Sequence, residues 1–167
     1  MRLIGLAGWS GSGKTTLLAK LIPLLIERGH SVSTVKHAHH EFDIDKPGKD
    51  SHTHRMAGAR EVLVSSARRW ALMHELRDDS EPTLDELVAH LAAVDFVIVE
   101  GFKREHHPKI EVHRSAVGKP LLYPEDPNIF AIASDVPPKD ARVPTADLDD
   151  IETIADLVDR FARPYSS

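Results

Sequence analysis

The sequence predicts an α/β fold, in which a mainly parallel β-sheet with additional β-segments lies between two layers of helices. Short apolar runs typical of buried strands alternate along the chain with segments of helical periodicity. The first run, Arg2–Gly8, leads through a glycine-rich turn into a helix, as in a strand–loop–helix unit. With 167 residues, 41% of them hydrophobic, the chain is expected to form one domain over residues 1–167.

The turn after the first strand matches a phosphate-binding loop. Residues 8–15, Gly-Trp-Ser-Gly-Ser-Gly-Lys-Thr, fit the pattern G-x-x-x-x-G-K-[ST] in full. In such a loop, backbone N–H groups surround phosphate oxygens, the lysine reaches the β- and γ-phosphates, and the final hydroxyl ligates Mg²⁺. The chain is therefore predicted to be a P-loop NTPase that binds a nucleoside triphosphate. The predicted nucleotide-binding residues here are Gly8, Ser10, Gly11, Ser12, Gly13, Lys14, Thr15 and Thr16.

The next elements follow from local residue patterns. The helix after the loop is expected to end near Gly29, because glycine favours the left-handed conformation of a C-terminal cap. The β-branched run Ser31–Lys36 predicts the second strand. The polar segment His37–Lys49 predicts a long loop, and a helix is expected to begin at Asp50.

The rest of the chain continues the alternation of strands and helices. Two strands are predicted at Glu61–Ser65 and Trp70–His74. Apolar residues at helical spacing predict a helix over residues 83–93 and a closing amphipathic helix over residues 151–161. Further strands are predicted at Asp95–Gly101, at Lys109–His113, whose alternation is typical of a half-exposed strand, and at Asn128–Ala133.

Glu100 ends a buried strand, where an acidic side chain can serve the nucleotide site. In open α/β sheets, ligands lie beyond the carboxyl ends of the strands, so Glu100 is expected to face the phosphate loop. Its carboxylate can hold Mg²⁺ opposite Thr15. An aspartate more often has this role, and a strand-terminal acid in solvent is the alternative interpretation.

Asp50 is the third candidate for the metal site. A carboxylate in a polar, glycine-containing segment can reach the ion or an attacking water, as in switch loops. The alternative is that Asp50 caps the helix that it precedes. The predicted metal-binding residues are therefore Thr15, Asp50 and Glu100.

A series of motifs carries a family resemblance. Besides the phosphate loop, it consists in chain order of Val35–His37, Asp43–Ser51, Met56–Ala59, Val99–Lys103 and Lys109–Val112. In this order the motifs resemble the molybdopterin-guanine dinucleotide biosynthesis protein B family, over residues 1 to about 136. The resemblance implies a GTP-binding accessory protein with weak GTPase activity and Mg²⁺ as cofactor. It also implies a homodimer that works beside the guanylyltransferase that attaches GMP to molybdopterin.

The resemblance also assigns roles to residues outside the phosphate loop. Lys36, at the end of the second strand, is expected near the phosphates or a second substrate. Ser134 and Asp135 follow a late strand, and Asp135 is expected to accept hydrogen bonds from guanine N1 and N2. The chain contains no Asn-Lys-x-Asp motif, so the preference for guanine rests on the resemblance.

Several of the eleven histidines lie close together in sequence. They are His37, His39, His40, His52, His54, His106 and His107. Imidazole pairs can bind Zn²⁺ or Ni²⁺. Because the chain has no cysteine and no evident helical i,i+4 pair, we favour a solvated loop that contacts phosphates or an anionic pterin. Lys103, Arg104 and Lys109 are expected to complete a basic rim for such a ligand.

Composition narrows the class of protein. Without cysteine the chain has no disulfides or thiolate metal sites, and no apolar run approaches the ~20 residues of a membrane helix. The start of the sequence leads directly into the first strand, which predicts a cytoplasmic protein. The formal net charge of −5 argues against nucleic acid as a partner.

Two other functions remain open at this point. A small-molecule kinase or ligase of the same fold needs a base for its acceptor, and a preference for ATP would favour it. A metallochaperone GTPase for nickel enzymes is suggested by the histidines, although such proteins usually carry cysteine beside histidine.

The middle of the chain predicts the mode of assembly. Glu61–Ser65, Trp70–His74 and Lys109–His113 supply more strand than a small parallel core needs, and unpaired strand edges are either blocked or paired with another chain. A two-fold homodimer through this region is expected, with Trp70 and Leu72 as apolar anchors. The alternative is that these strands extend the sheet of a monomer.

Overall fold

The computed structural model describes residues 1–38, 42–102 and 105–165. These fall into two compact units, one formed by Met1–His37 with Leu84–Ser167 and the other by Ala38–Thr83. The first unit contains a seven-stranded sheet and the second a two-stranded sheet. The expectation of one domain over the whole chain stays a prediction.

The secondary-structure elements largely follow the sequence pattern. The α-helices are α1 (Lys14–Glu27), α2 (Asp50–Met56), α3 (Leu84–Ala89) and α4 (Ile151–Phe161). The strands are β1 (Arg2–Ala7), β2 (Val32–Lys36), β3 (Glu61–Ser65), β4 (Trp70–His74), β5 (Phe96–Glu100), β6 (Lys109–His113), β7 (Ile129–Ser134), β8 (Thr145–Asp147) and β9 (Arg163–Pro164). A short 3₁₀ helix covers Ser115–Val117. α3 is shorter than expected, and β8 and β9 were not predicted.

The large sheet has the order β2-β5-β1-β6-β7-β8, with all of these strands parallel. The short β9 pairs antiparallel with the start of β1. The prediction of a mainly parallel sheet is confirmed. β1 lies at its centre, between β5 and β6, so the loop that follows β1 emerges from the middle of the carboxyl edge.

Helices cover both faces of this sheet and complete the three predicted layers. On one face, Ile4, Ile98 and Ile110 pack with Leu21 of α1 and Ile154 of α4 in the main hydrophobic core. On the other face, a smaller cluster joins strand residues to α3 and is formed by Leu3, Val97, Val99, Leu84 and Val88. Burial on both faces explains why β5 is an unbroken apolar run.

β6 departs from its predicted half-exposed state, and it is an inner strand of the sheet, not a spare β-segment. Ile110 and Val112 share the core face as expected, but Lys109 and Glu111 on the other face are also buried. The Lys109 ammonium pairs with Asp126 at 2.9 Å. Burial raises the pKa of the Glu111 carboxyl, which accepts two backbone N–H bonds from the segment after β6. These partners allow two charged residues in the interior.

The second unit has its own small framework. β3 and β4 form an antiparallel hairpin, in which Leu63 opposes Leu72. The side chain of Arg55 on α2 pairs with Asp43, Asp45 and Glu75, and only 15% of it is exposed. One guanidinium therefore ties the start of the unit to its helix and to the residue that follows β4.

Among the described residues, no helix is both long enough and apolar enough to cross a membrane.

Candidate nucleotide-binding site

The phosphate loop is shaped by glycines in conformations that other residues rarely adopt. Gly8, Gly11 and Gly13 have φ values of 146°, 81° and 95°. A β-carbon on Gly8 would lie 2.4 Å from the Val112 carbonyl oxygen, so the loop runs too close to β6 for any side chain. Gly13 is the N-cap of α1. The backbone N–H groups of the loop therefore lie at the N-terminus of α1, which is the positive end of the helix dipole.

Three polar side chains of the loop differ in their surroundings. The Lys14 ammonium lies across the loop and donates to the carbonyl oxygens of Gly8 at 2.9 Å and Trp9 at 3.1 Å. Ser12 is buried, and its hydroxyl oxygen has no hydrogen-bond partner among the described residues. Thr15 is exposed in the first turn of α1. A buried hydroxyl without a hydrogen-bond partner is destabilising, so Ser12 is a costly side chain in this loop.

Glu100 lies at the same edge of the sheet as the loop. Its backbone pairs in register with Leu6, two residues before Gly8, and with Lys36 on the other side. The side chains of Glu100 and Lys36 make no hydrogen bond or ion pair within the described part of the chain. The phosphate loop and Glu100 therefore lie at the ends of two adjacent parallel strands, β1 and β5.

Gly101 allows the turns after β5 and β2 to approach each other closely at this edge of the sheet. It has a φ of 103°, and a β-carbon there would lie 2.9 Å from both Cβ and the carbonyl oxygen of His37. The backbone N–H of His37 in turn donates to the Glu100 carbonyl at 2.8 Å. The turns after β2 and β5 are thus packed together, which holds the backbone of Glu100 in place.

Asp50 belongs to the second unit and is the first residue of α2. Its side chain is exposed and does not cap the helix, since Lys49 is the N-cap residue and no side chain caps this end. The capping alternative is therefore wrong. The role of Asp50 as a metal ligand stays a prediction.

Ser134 and Asp135 are built into a hydrogen-bonded turn after β7. The buried Ser134 hydroxyl accepts the Val136 N–H and donates to the Val136 carbonyl. Both Asp135 oxygens accept from Ser115, one from its N–H at 2.8 Å and one from its hydroxyl at 3.0 Å. These bonds hold the pKa of Asp135 below its ordinary value. A rigid, ionised carboxylate results, and its recognition of a guanine base stays a prediction.

Two contacts of the loop were not predicted from the sequence. The Trp9 indole N–H donates to the Pro120 carbonyl at 2.8 Å, which ties the phosphate loop to the segment after β6. The guanidinium of Arg114 lies against Gly13, 3.4 Å from where a β-carbon would stand. Arg114 directly follows a predicted strand, as Glu100 ends one. Its place at the carboxyl edge of the sheet was therefore predictable from the sequence.

The histidines do not form a preassembled metal centre within residues 1–38, 42–102 and 105–165, where no group of three or more potential ligands converges. His39, His40, Lys103 and Arg104 lie outside the described residues. The expectation of a solvated segment is wrong for His107, which is only 8% exposed. Lys109 likewise cannot contribute to a basic rim, because it is buried in an ion pair with Asp126.

Comparison with known proteins agrees with this geometry. Residues 3–135 match the family described as molybdopterin guanine dinucleotide synthesis protein B. The molybdopterin-guanine dinucleotide biosynthesis adapter protein of Escherichia coli (strain K12) is 45% identical over 159 residues, covering 93% of this chain and 90% of the relative. Its counterpart in Haemophilus influenzae is 43% identical over 166 residues, covering 98% and 90% respectively.

Solved structures show the same fold. A crystal structure of molybdopterin-guanine biosynthesis protein B has a TM-score of 0.75 at 27% identity, covering 95% of this chain and 98% of the other. The Bacillus subtilis MobB structure has a TM-score of 0.74 at 22% identity, covering 99% and 100%. At that lower identity the likeness shows the fold alone.

Proposed function

This chain belongs to the molybdopterin guanine dinucleotide synthesis protein B family, and we propose on that premise that it is a GTP-binding adapter in molybdopterin guanine dinucleotide formation. The observation that carries the proposal is a complete phosphate loop, which follows the central strand β1 and has Glu100 on the adjacent strand. The names of its relatives in Escherichia coli and Haemophilus influenzae support the adapter role. The cytoplasmic location expected from the sequence is part of the same proposal.

The loop residues have distinct roles toward the triphosphate. In the proposal, the backbone N–H groups from Gly8 to Thr16 surround the β-phosphate, and Lys14 moves from its carbonyl partners to the β- and γ-phosphate oxygens. Lys36 adds a second cation at the same edge. The exchange replaces hydrogen bonds from the ammonium to neutral carbonyls with ion pairs to negatively charged phosphate oxygens.

Thr15 and Glu100 are the proposed holders of Mg²⁺ in the first unit. A hydroxyl and a carboxylate are oxygen donors of the kind that this ion prefers, and both are without a side-chain partner in the described structure. When bound, Mg²⁺ would neutralise charge on the β- and γ-phosphates. Glu100 in this proposal orients the ion, directly or through water, opposite the Thr15 hydroxyl.

Guanine selectivity is assigned to the turn after β7. Both Asp135 oxygens are fixed by Ser115, and each retains a lone pair for guanine N1–H or N2–H. Ser134 supports this turn from within the core. A competition assay against labelled GTP tests the assignment: excess GTP must displace the label, and ATP must not. Stronger displacement by ATP than by GTP would instead favour a small-molecule kinase.

A pull-down tests the adapter role. Tagged protein with GTP and Mg²⁺ is expected to retain a molybdopterin guanylyltransferase and a molybdopterin-type cofactor, and Lys14→Ala is expected to retain less. The variant is a matched control, because its substitution removes the phosphate contact and leaves the exposed hairpin residues unchanged. Retention of neither partner by the wild-type protein would contradict the adapter role.

The proposal includes a homodimer through the β3–β4 hairpin. β3 and β4 form their own two-stranded sheet and do not extend the main sheet, whereas Lys109–His113 does belong to it. Leu63, Trp70 and Leu72 alternate onto one face of it and are 61%, 66% and 42% exposed. Exposed apolar side chains grouped on one face indicate a partner surface. Light scattering at micromolar concentration should show a dimer, and a monomer with Trp70→Ser; a wild-type monomer would contradict this.

A further inference from the structure

Arg114 occupies a position beside the phosphate loop that no motif assigns. It directly follows β6 and is half-buried. Its Nη2 atom lies 3.4 Å and its Nε atom 3.7 Å from the point where a β-carbon on Gly13 would stand. The edge of the guanidinium therefore lies against the backbone of the residue that caps α1.

The Arg114 charge acts at a distance on two carboxyls: after the hydrogen bonds from Ser115 and Lys20, it is a smaller cause of the lowered pKa of Asp135 and Asp149. Within residues 1–38, 42–102 and 105–165, the Arg114 side chain makes no hydrogen bond or ion pair. Its nearest acidic neighbours are engaged elsewhere, Asp135 by Ser115 and Asp149 by Lys20. α1 also has no acidic residue in its first turn. A half-buried positive charge at the positive end of a helix is unfavourable unless an anion binds there.

The strand order indicates which part of an anion this would be. Glu100 ends β5 on one side of β1, whereas Arg114 follows β6 on the other side. Ser115, the residue after Arg114, holds Asp135, the proposed reader of the base. Arg114 therefore lies on the nucleoside side of the loop and away from the proposed Mg²⁺ ligands.

We infer that Arg114 binds the α- and β-phosphates of a guanine nucleotide, an inference that rests on the proposed GTP site. A guanidinium presents N–H donors in a planar fork that matches two phosphate oxygens. The α- and β-phosphates are present in both GDP and GTP. Arg114 therefore acts as an affinity determinant that does not distinguish the two nucleotides, unlike a residue that contacts the γ-phosphate.

Calorimetric titration of GDP and GTP, each with Mg²⁺, tests the inference. Arg114→Gln keeps polar atoms but removes the charge, and it is expected to weaken both nucleotides by the same factor of about 10 to 100. Arg114→Lys keeps the charge without the fork and is expected to give an intermediate affinity. Arg142→Gln is the matched control: this exposed arginine precedes β8, at the amino edge of the sheet, and its loss is expected to change neither affinity.

These outcomes distinguish a failure of the role assigned to Arg114 from a failure of the proposed GTP site. Unchanged affinity of Arg114→Gln for both nucleotides overturns the role of Arg114 while leaving the GTP site intact. A loss confined to GTP also overturns it, because that result would place Arg114 at the γ-phosphate. Failure of the wild-type protein to bind either nucleotide overturns the proposed function itself. Thermal melts establish that each variant is folded, and Arg114→Lys supplies the test if Arg114→Gln is not.

Discussion

Acidification is expected to destabilise this protein through the buried imidazole of His107. The ring packs against β1, with Nε2 lying 2.3 Å from where a β-carbon on Gly5 would stand. Its Nδ1 atom is buried without a hydrogen-bond partner among the described residues. Burial, reinforced by the nearby charge of Lys109 and opposed by that of Asp126, lowers the pKa of His107 from 6.5 to about 4. The native state therefore keeps this imidazole neutral.

The sign and size of the effect follow from proton linkage. Below pH 6.5 the unfolded chain gains a proton on this residue that the native chain does not, so acid favours unfolding. The stability present above pH 6.5 is lost progressively down to the native pKa of about 4. Each pH unit in that window costs about 1.4 kcal/mol, so the free energy of unfolding is expected to be about 2 kcal/mol lower at pH 5 than at pH 8 from His107 alone.

Urea unfolding at pH 8 and pH 5 measures this cost. The difference in the free energy of unfolding between the two pH values is compared for wild type and His107→Gln, which cannot titrate. The variant should lose about 2 kcal/mol of that difference. His106→Gln, a change at the exposed neighbouring histidine, should keep it. An equal pH difference in wild type and His107→Gln would show that His107 does not cause the loss of stability in acid.

Three further predictions concern the loop, the reaction and the second unit. Gly8→Ala should lower the free energy of unfolding by about 2–5 kcal/mol in urea titrations, because its β-carbon meets the Val112 carbonyl at a φ of 146°; an unchanged value contradicts the loop geometry. GTP hydrolysis by the purified protein should stay below about one turnover per second, since the chain contains no glutamine to orient water; tens per second contradicts this. Arg55→Met should speed amide hydrogen exchange in residues 43–75 more than Arg60→Met, whose ion pair is exposed; equal rates contradict the role of Arg55.

The sequence predicted features that depend on local spacing. The phosphate loop was found because its glycines, lysine and threonine act within eight consecutive residues. Glu100 was found because the carboxyl ends of parallel strands share one edge, and the register confirms its place beside β1. β5 was found because a strand covered on both faces is continuously apolar.

Features that depend on distant partners were not predicted. Lys109 and Glu111 looked solvent-exposed because strand alternation places polar residues outward, but Asp126 and the backbone after β6 supply their partners. β8 is only three residues long and β9 only two, so neither has a periodic signal. Arg114 directly follows β6 as Glu100 ends β5, so the position of Arg114 at the carboxyl edge depends on the same property of parallel strands.

Binding of GTP at the phosphate loop of this adapter-family protein can be measured by calorimetry. GTP with Mg²⁺ is titrated into wild-type protein and into Lys14→Ala. We expect micromolar binding by the wild type and loss of about 1.5–3 kcal/mol of binding free energy in the variant, because a charge-assisted phosphate contact is removed. Equal binding by the two proteins, or no binding by the wild type, would contradict this expectation.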